Sequence, residues 1–394
     1  MRILQIISSV DSTSGGVVEG VRMFSEEWTQ AGHSVEVLTL DPPGFPDAGT
    51  FPVPVHTLGP GKSAWLYSGA FYPWLRDHHR EYDFIVVHAL WQYHVFGAWR
   101  ALHGQTTPYV VFTHGMLDPY FKRRFPLKHL KKWLFWPWSE YRALRDARAV
   151  MFTCEEERVL ARESFFLYKA KELVVGFGTN PCPVPLETAR EAFLERFPEL
   201  QGKRILTFMG RLAPKKACDL LIEAFASTLA KDPDWQLVMA GPDLDDWKKD
   251  LLLIAKRLQI QDRVIWTGML HGDLKWGSIA ASEVLTLPSH QENFGVVVAE
   301  ALACSVPVIV SNQVNIWREI EAFQAGMVTA DTLAGIQASL QRWSTLTAAE
   351  LQEMRSRCLP CFQKYFDMRT VCLGVMAELE RLAPKKNQPE MVNL

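Results

Sequence analysis

A chain of 394 residues in which short all-apolar runs alternate with helical segments, twice over, predicts an α/β protein of two doubly wound parallel-sheet domains. A proline-rich break, Asn180-Pro181-Cys182-Pro183-Val184-Pro185, separates the two series and reads as the linker between residues 1–180 and the part from 181 on. The length suffices for two full cores.

The first series opens with RILQIIS at residues 2–8, a buried strand, then a polar loop from Asp11 to Gly16 and a helix from about Val17 to Ala31. Gly32 closes that helix and VEVLTL follows as the next strand. The loop has no G-x-G-x-x-G pattern, so Gly15 and Gly16 read either as a place where the backbone meets a ligand or a helix, or as a plain turn. After a proline-rich loop, Pro42 to Pro60, come a helix carrying Trp65 and Trp74, a strand Phe84–His88, a helix from about Trp91 and a strand Tyr109–Thr113. That strand runs into His114-Gly115-Met116-Leu117-Asp118. Ligands of open α/β sheets collect at the carboxyl ends of strands, which makes His114 and Asp118 candidate site residues. His88 ends its strand similarly and reads as a satisfied structural histidine.

Between Asp118 and Glu140 lie six Lys/Arg residues and no acid, interleaved with Phe121, Phe125, Trp133, Phe135, Trp136 and Trp138. Two readings stand side by side for residues 121–138. The segment is a helix on an anionic membrane surface, or its aromatics are core and its lysines a solvated face.

The second series begins with Ile205–Met209 followed by Gly210-Arg211-Leu212-Ala213-Pro214-Lys215-Lys216 and a helix over Asp219–Ala230. Gly, Arg and Lys between a strand and a helix entrance suit a pyrophosphate. Strands Gln236–Ala240, Val264–Gly268 and Val284–Leu287 follow. The stretch VLTLPSHQENFGVVVAEALACSVPVIV at 284–310 holds two buried strands around a polar island and a helix from Gly295. Glu292 and Glu300 are roughly 12 Å apart along a helix axis. A glycosidase pair is held about 5–10 Å apart, so this spacing fits a grip on two ends of one extended ligand better. The chain after Val310 reads as mostly helical, and the tail Pro384–Leu394 as disordered.

A net charge of −2 excludes a general case for nucleic-acid binding. Seven scattered cysteines, with one C-x-x-C at Cys358 and Cys361, suggest a reduced cytoplasmic compartment and no zinc site. MRILQIISSV reads as a strand rather than a signal peptide, and no apolar run is long enough to span a bilayer.

Glu292-x7-Glu300 enclosing Phe294-Gly295, with Pro288-Ser289 before and Pro307-Val308 after, resembles the donor signature of retaining glycosyltransferases of family 4. Gly210-Arg211-Leu212 with Lys216, Gly15-Gly16, and Ala31-Gly32-His33 are similar to other parts of that family's pattern, over nearly the whole chain. The resemblance implies a GT-B fold: two Rossmann-like domains facing a deep cleft, the second (181–365) binding the donor. It also implies that residues from about 366 to 394 cross back to an acceptor-binding first domain. By carry-over, Glu292 contacts the transferred sugar, Glu300 the ribose, and Arg211 and Lys216 the diphosphate. Gly16, Gly210, Leu270, Asn293, Phe294, Gly295 and Val296 join the donor site, while Gly15, His114 and Asp118 lie on the acceptor side. Glu292, His114, Arg211 and Lys216 are the catalytic candidates. No metal or other cofactor is implied, because the two cations take its place, and no D-x-D run stands in a suitable loop. Ala217 and Ser305 depart from the family, which has glycine at both positions; a further glycine pair is missing after Val310.

The expected activity is transfer of a hexose-type sugar, with retention, from a UDP- or GDP-linked donor to a saccharide or lipid-linked saccharide, in polysaccharide or glycolipid synthesis. The expected location is the cytoplasm, peripherally on the membrane. A nucleotide-sugar epimerase or phosphorylase of the same architecture, and a non-catalytic nucleotide-sugar-binding subunit on the membrane, are the rival readings.

Overall fold

The computed structural model describes residues 1–383 apart from Phe125 and Asp245; the tail expected from Pro384 lies outside the described residues. The chain divides into two compact units, Met1–Gly176 joined by the last helix from Val371, and Phe177–Thr370.

The first unit carries a seven-stranded sheet in the order β3-β2-β1-β4-β5-β6-β7. Its strands are β1 Arg2–Ile6, β2 Ser34–Thr39, β3 Val55–Thr57, β4 Phe84–His88, β5 Tyr109–Phe112, β6 Val150–Phe152 and β7 Glu172–Val174. All its ladders are parallel. β4 and β5 are buried at every residue, which is why they read as unbroken apolar runs rather than alternating ones. The helix Gly16–Gln30 ends where Gly32, at φ 88°, donates to Thr29 O at 3.0 Å while His33 N donates to Trp28 O at 3.0 Å. These two bonds form a Schellman stop, and the left-handed position explains the glycine. The last helix, Met368–Leu382, lies partly in this unit, where Cys372 O accepts from Trp28 Nε1 at 3.2 Å.

The second unit has a six-stranded parallel sheet, order β10-β9-β8-β11-β12-β13. Here β8 is Arg204–Met209, β9 Trp235–Ala240, β10 Val264–Gly268, β11 Val284–Leu287, β12 Val308–Ser311 and β13 Gly326–Thr329. In both sheets the strand order reverses direction once, between β1 and β4 and between β8 and β11. Such reversals leave a crevice at the carboxyl ends of the two central strands. Helices Cys218–Ser227 and Val296–Ala303 follow β8 and β11.

Several local expectations are corrected. Trp65 precedes the Phe71–His78 helix rather than lying in it. The proline-rich loop contains a short helix, Pro46–Gly49, and the edge strand β3, and the region after Val310 contains the edge strand β13. The spacing of Glu292 and Glu300 along a helix axis does not apply, since the helix begins at Val296: Glu292 lies in the loop before it and Glu300 little more than one turn into it. Cys358 and Cys361 are buried free thiols in the helix Ala348–Tyr365, and the described residues hold no metal-ligating cluster.

Candidate functional site

In the second unit the crevice between β8 and β11 brings together segments far apart in sequence. The turn after β8, Gly210 to Lys216, and the loop after β11, Pro288 to Gly295, meet side by side. His290 N donates to Lys215 O at 2.9 Å, and Lys215 Nζ donates to Gln291 Oε1, also at 2.9 Å. Lys216 Nζ forms an ion pair with Glu292 Oε2 at a half-buried position. Glu300, buried, is paired with Lys275 from the helix Gly272–Ala280. Arg211 is exposed and pairs with no carboxylate among the described residues. One carboxylate–ammonium pair thus stands on each side of the Val296–Ala303 N-terminus, with a free guanidinium beside them in the β8 turn.

The loop is held by its surroundings. Glu292 bridges in parallel to Val314: Glu292 N donates to Gln313 O at 2.9 Å and Asn315 N to Glu292 O at 3.0 Å. The segment after β12, which lacks the family's glycine pair, is therefore the wall that fixes Glu292. Gly295 starts the helix at φ 72°, a left-handed position with no side-chain cap, and a Cβ there would come within 3.0 Å of Leu287 Cδ2. The Phe294 ring is buried between Phe177 and Phe366, with centroids at 5.1 and 5.7 Å, so only its backbone can face a ligand. Leu270 packs on the cluster around Phe193 and Val238, leaving its backbone at the end of β10.

Ala217 and Ser305 both adopt left-handed backbone, at φ 53° and 56°. Ser305 is the residue after the Val296–Ala303 helix cap, where Ser305 N donates to Leu302 O at 3.0 Å and Val306 N to Ala301 O at 2.9 Å. Glycine suits both positions for a backbone reason. Replacing half-buried Ser305 by glycine is expected to raise stability by about 0.5–1 kcal/mol, the left-handed penalty less glycine's extra unfolded-state entropy. Differential scanning of Ser305→Gly checks it. Ala217→Gly should gain less, because Ala217 is fully buried and its methyl packing is lost.

Two D-x-D runs do exist, Asp232-Pro233-Asp234 before β9 and Asp243-Leu244-Asp245 after it. Asp243 is committed to the entry of the Lys248–Arg257 helix: its Oδ1 accepts from Trp247 N at 2.8 Å and its Oδ2 from Lys248 N at 3.2 Å.

In the first unit His114 follows β5 with φ 48° and stacks on Phe112, centroids 4.4 Å apart. A hydrogen-bonded chain reaches it from the helix Gly16–Gln30. Gln5 Nε2 donates to Ser25 Oγ at 2.7 Å and to Val21 O at 3.4 Å, which leaves Gln5 Oε1 to accept from His88 Nε2 at 3.0 Å. His88 Nδ1 is then an acceptor, and His114 Nε2 donates to it at 3.0 Å. His94 Nε2 donates to His88 O at 2.8 Å. The polar Gln5 in an otherwise apolar strand thereby sets the tautomer of two histidines. Burial holds all three rings neutral: it lowers His114 to about 3, His94 to about 4 and His88 well below its ordinary value.

Glu157, fully buried, grips the backbone on both sides of His114. Its Oε1 accepts from Thr113 Oγ1 and Gly115 N at 2.6 Å each, and its Oε2 from Thr153 N at 2.7 Å and Thr153 Oγ1 at 2.6 Å. Nothing in sequence singled out Glu157, Gln5 or Lys275. Asp118 accepts from Tyr120 N at 2.7 Å and so turns the chain into the Tyr120–Arg124 helix. Gly15, at φ 88°, and Gly16 have open space where a Cβ would stand, so no packed neighbour requires their smallness.

The neutral histidines give this unit an acid-sensitive stability. Unfolded histidine takes up a proton near pH 6.5. Between that pH and the lower folded values the unfolded chain binds more protons, so stability is complete above about pH 6.5 and falls as the pH drops. His88 and His94, both fully buried, contribute about 1.4 kcal/mol per pH unit each. Urea titrations at pH 7.5, 6 and 5 should show this decline, and His94→Asn should flatten it.

Two Rossmann-like parallel-sheet units define the GT-B class of fold. Over 97% of this chain and the whole of the compared chain, the structure matches Anabaena HepE in complex with UDP and glucose (TM-score 0.75, 18% identity). Sucrose-phosphate synthase from Thermosynechococcus elongatus matches over 96% of this chain and 98% of its own (TM-score 0.72, 19% identity). Residues 15–178 match the glycosyl transferase 4-like domain and residues 189–353 the glycosyl transferases group 1 family. The chain belongs to these family 4-type glycosyltransferases. It is 30% identical over 161 residues to the D-inositol 3-phosphate glycosyltransferase of Rhodococcus opacus, covering 38% of this chain and 36% of that protein. It is 28% identical over 194 residues to the alpha-D-kanosaminyltransferase of Streptomyces kanamyceticus, covering 48% and 49%. The chain thus spans only 25–45% of the length of the first curated relatives it matches.

Proposed function

We propose that this chain is a metal-independent, retaining glycosyltransferase that moves a hexose-type sugar from a nucleotide diphosphate sugar to an acceptor hydroxyl. The observation that carries the proposal is the arrangement at the β8/β11 crevice. Arg211 is open to solvent, and Lys216 is paired with Glu292 beside a helix N-terminus. These cations and backbone N–H groups suit a diphosphate, and their charge serves where other transferases use a metal. The UDP and UDP-glucose complexes of HepE, a protein of the same fold, support a uridine-linked donor.

On donor binding, the ammonium of Lys216 turns from Glu292 to the diphosphate, which frees the Glu292 carboxylate to accept from sugar hydroxyls. Glu300 accepts from the ribose, with Lys275 holding its carboxylate in place. As the glycosidic C–O bond breaks, negative charge grows on the leaving phosphate, where Arg211 and Lys216 stabilise it. The acceptor hydroxyl adds on the same face and gives its proton to the departing phosphate oxygen. Neutral His114 contributes a hydrogen bond on the acceptor side, and the acceptor is a saccharide, lipid-linked in the fullest form of the proposal.

The deciding experiment incubates the protein with a panel of radiolabelled UDP- and GDP-sugars, in chelator, with saccharide and lipid-linked acceptors. Release of nucleoside diphosphate together with an α-linked product from an α-linked donor is expected. Isomerised donor without nucleotide release, or tight donor binding with no turnover on any acceptor, would overturn it.

A further inference from the structure

No residue of the helix Pro126–Phe135 of the first unit is fully buried. Its inner face is half-buried. Trp133 stacks on Phe166 with centroids 4.7 Å apart, and the Lys132 ammonium sits 4.2 Å from the centre of the Trp91 ring. Just beyond the helix, Trp136 is completely buried against Phe165 at 4.1 Å and donates to Leu167 O at 2.6 Å. That part of the stretch is core, as one of the two sequence readings had it. The outer face is different. Leu127, Leu130 and Leu134 recur at i, i+3 and i+7 and are 80%, 59% and 69% exposed. Phe135 and Trp138 extend the patch, also exposed. A surface helix ordinarily turns polar residues to that side.

The charge beside this leucine stripe has one sign. Lys128 and Lys131 flank it on the helix, and Lys122, Arg123 and Arg124 precede it, all exposed. Glu163 answers the first part of the cluster: its carboxylate pairs with Arg123 at 2.8 Å and its backbone O accepts from Lys122 at 2.9 Å. No acidic residue occurs between Asp118 and Glu140.

We propose that this face is a membrane-docking surface, with Leu127, Leu130, Leu134 and Trp138 entering the headgroup–acyl boundary of an anionic bilayer and the lysines contacting lipid phosphates. Exposed leucines supply the apolar area, the lysine stems reach back over it, and a tryptophan at the patch edge suits the interface. A second copy of the chain is a poor occupant, because a symmetric contact would press two like-charged clusters together. The inference does not rest on the transferase reading; it would place the protein where a lipid-linked acceptor resides.

The test is cosedimentation of the intact protein with vesicles of phosphatidylcholine, alone or mixed with phosphatidylglycerol, at low and high salt. The protein is expected to pellet with the mixed vesicles and to be released by salt. Leu127→Ser/Leu130→Ser/Leu134→Ser should weaken that partition about tenfold or more while its melting temperature stays near the parent's. Lys128→Glu/Lys131→Glu keeps the leucines and should lose the preference for anionic lipid, so the proposal remains falsifiable if the triple variant folds poorly. Equal pelleting with neutral vesicles, binding indifferent to both variants, or a dimer in solution that the leucine substitutions dissolve would each overturn it.

Discussion

Lys216→Ala is expected to slow sugar transfer by about 10²–10³-fold, the loss typical of removing one preorganised group that stabilises charge developing in a transition state. The ammonium is paired with Glu292 at a half-buried position, so it needs only to turn from that carboxylate to the diphosphate when the donor binds. Its removal should lower kcat more than it raises the KM for donor, because the leaving diphosphate bears more charge in the transition state than in the ground state. The substitution also leaves Glu292 without its cation. The double variant Lys216→Met/Glu292→Gln, which removes both charges, separates a folding loss from a catalytic one. A Lys216→Ala enzyme with the parent's turnover would refute the diphosphate assignment.

Glu157→Ala is expected to cost about 3–5 kcal/mol of stability. Four donors converge on this carboxylate, and two of them, Gly115 N and Thr153 N, are backbone groups with no freedom to turn elsewhere. Burial raises the Glu157 pKa despite those bonds. Glu157→Gln should recover only part of the loss, since its amide nitrogen would face donors on one side. The midpoint of urea unfolding measures both variants. Because Thr113 and Gly115 flank His114, partial recovery of fold without recovery of transfer would show that the position of the histidine matters as well as its presence.

The central strands were legible because β4, β5, β8 and β11 combine short length with burial on both faces, a pattern that surface segments rarely imitate. Two of the four edge strands, β3 and β13, were not. β3 is half-buried throughout and three residues long, and β13 starts at Gly326, whose missing Cβ would lie 2.1 Å from Val308 O. A glycine demanded by a neighbouring strand looks, in sequence, like any loop glycine. At the site the same division holds. Arg211, Lys216, Glu292 and Glu300 stand in recognisable local patterns, but the pairing of Lys216 with Glu292 spans 76 residues and depends on the order of the strands. Gln5, Glu157 and Lys275 carry no local signature, since each owes its role to a partner brought in by the fold. The basic aromatic stretch gave two readings because it serves two purposes: Trp136 faces inward and Leu127 outward.

The aromatic trio at Phe294 has a mechanical consequence. Phe177 stands at the start of the second unit and Phe366 near its end, and both rings rest edge-on against Phe294. The two segments are stitched together next to it: Thr179 N donates to Phe366 O at 2.9 Å and Met368 N to Thr179 O at 3.2 Å, while a Cβ on Gly178 would strike Phe366 O. Phe294 lies between Asn293 and Gly295 in the loop assigned to the donor. The Phe294 ring therefore ties this loop to two segments of the second unit that are far apart in sequence, at Phe177 and at Phe366. Under the proposed donor assignment, a shift of the loop on binding a sugar nucleotide would be felt at both.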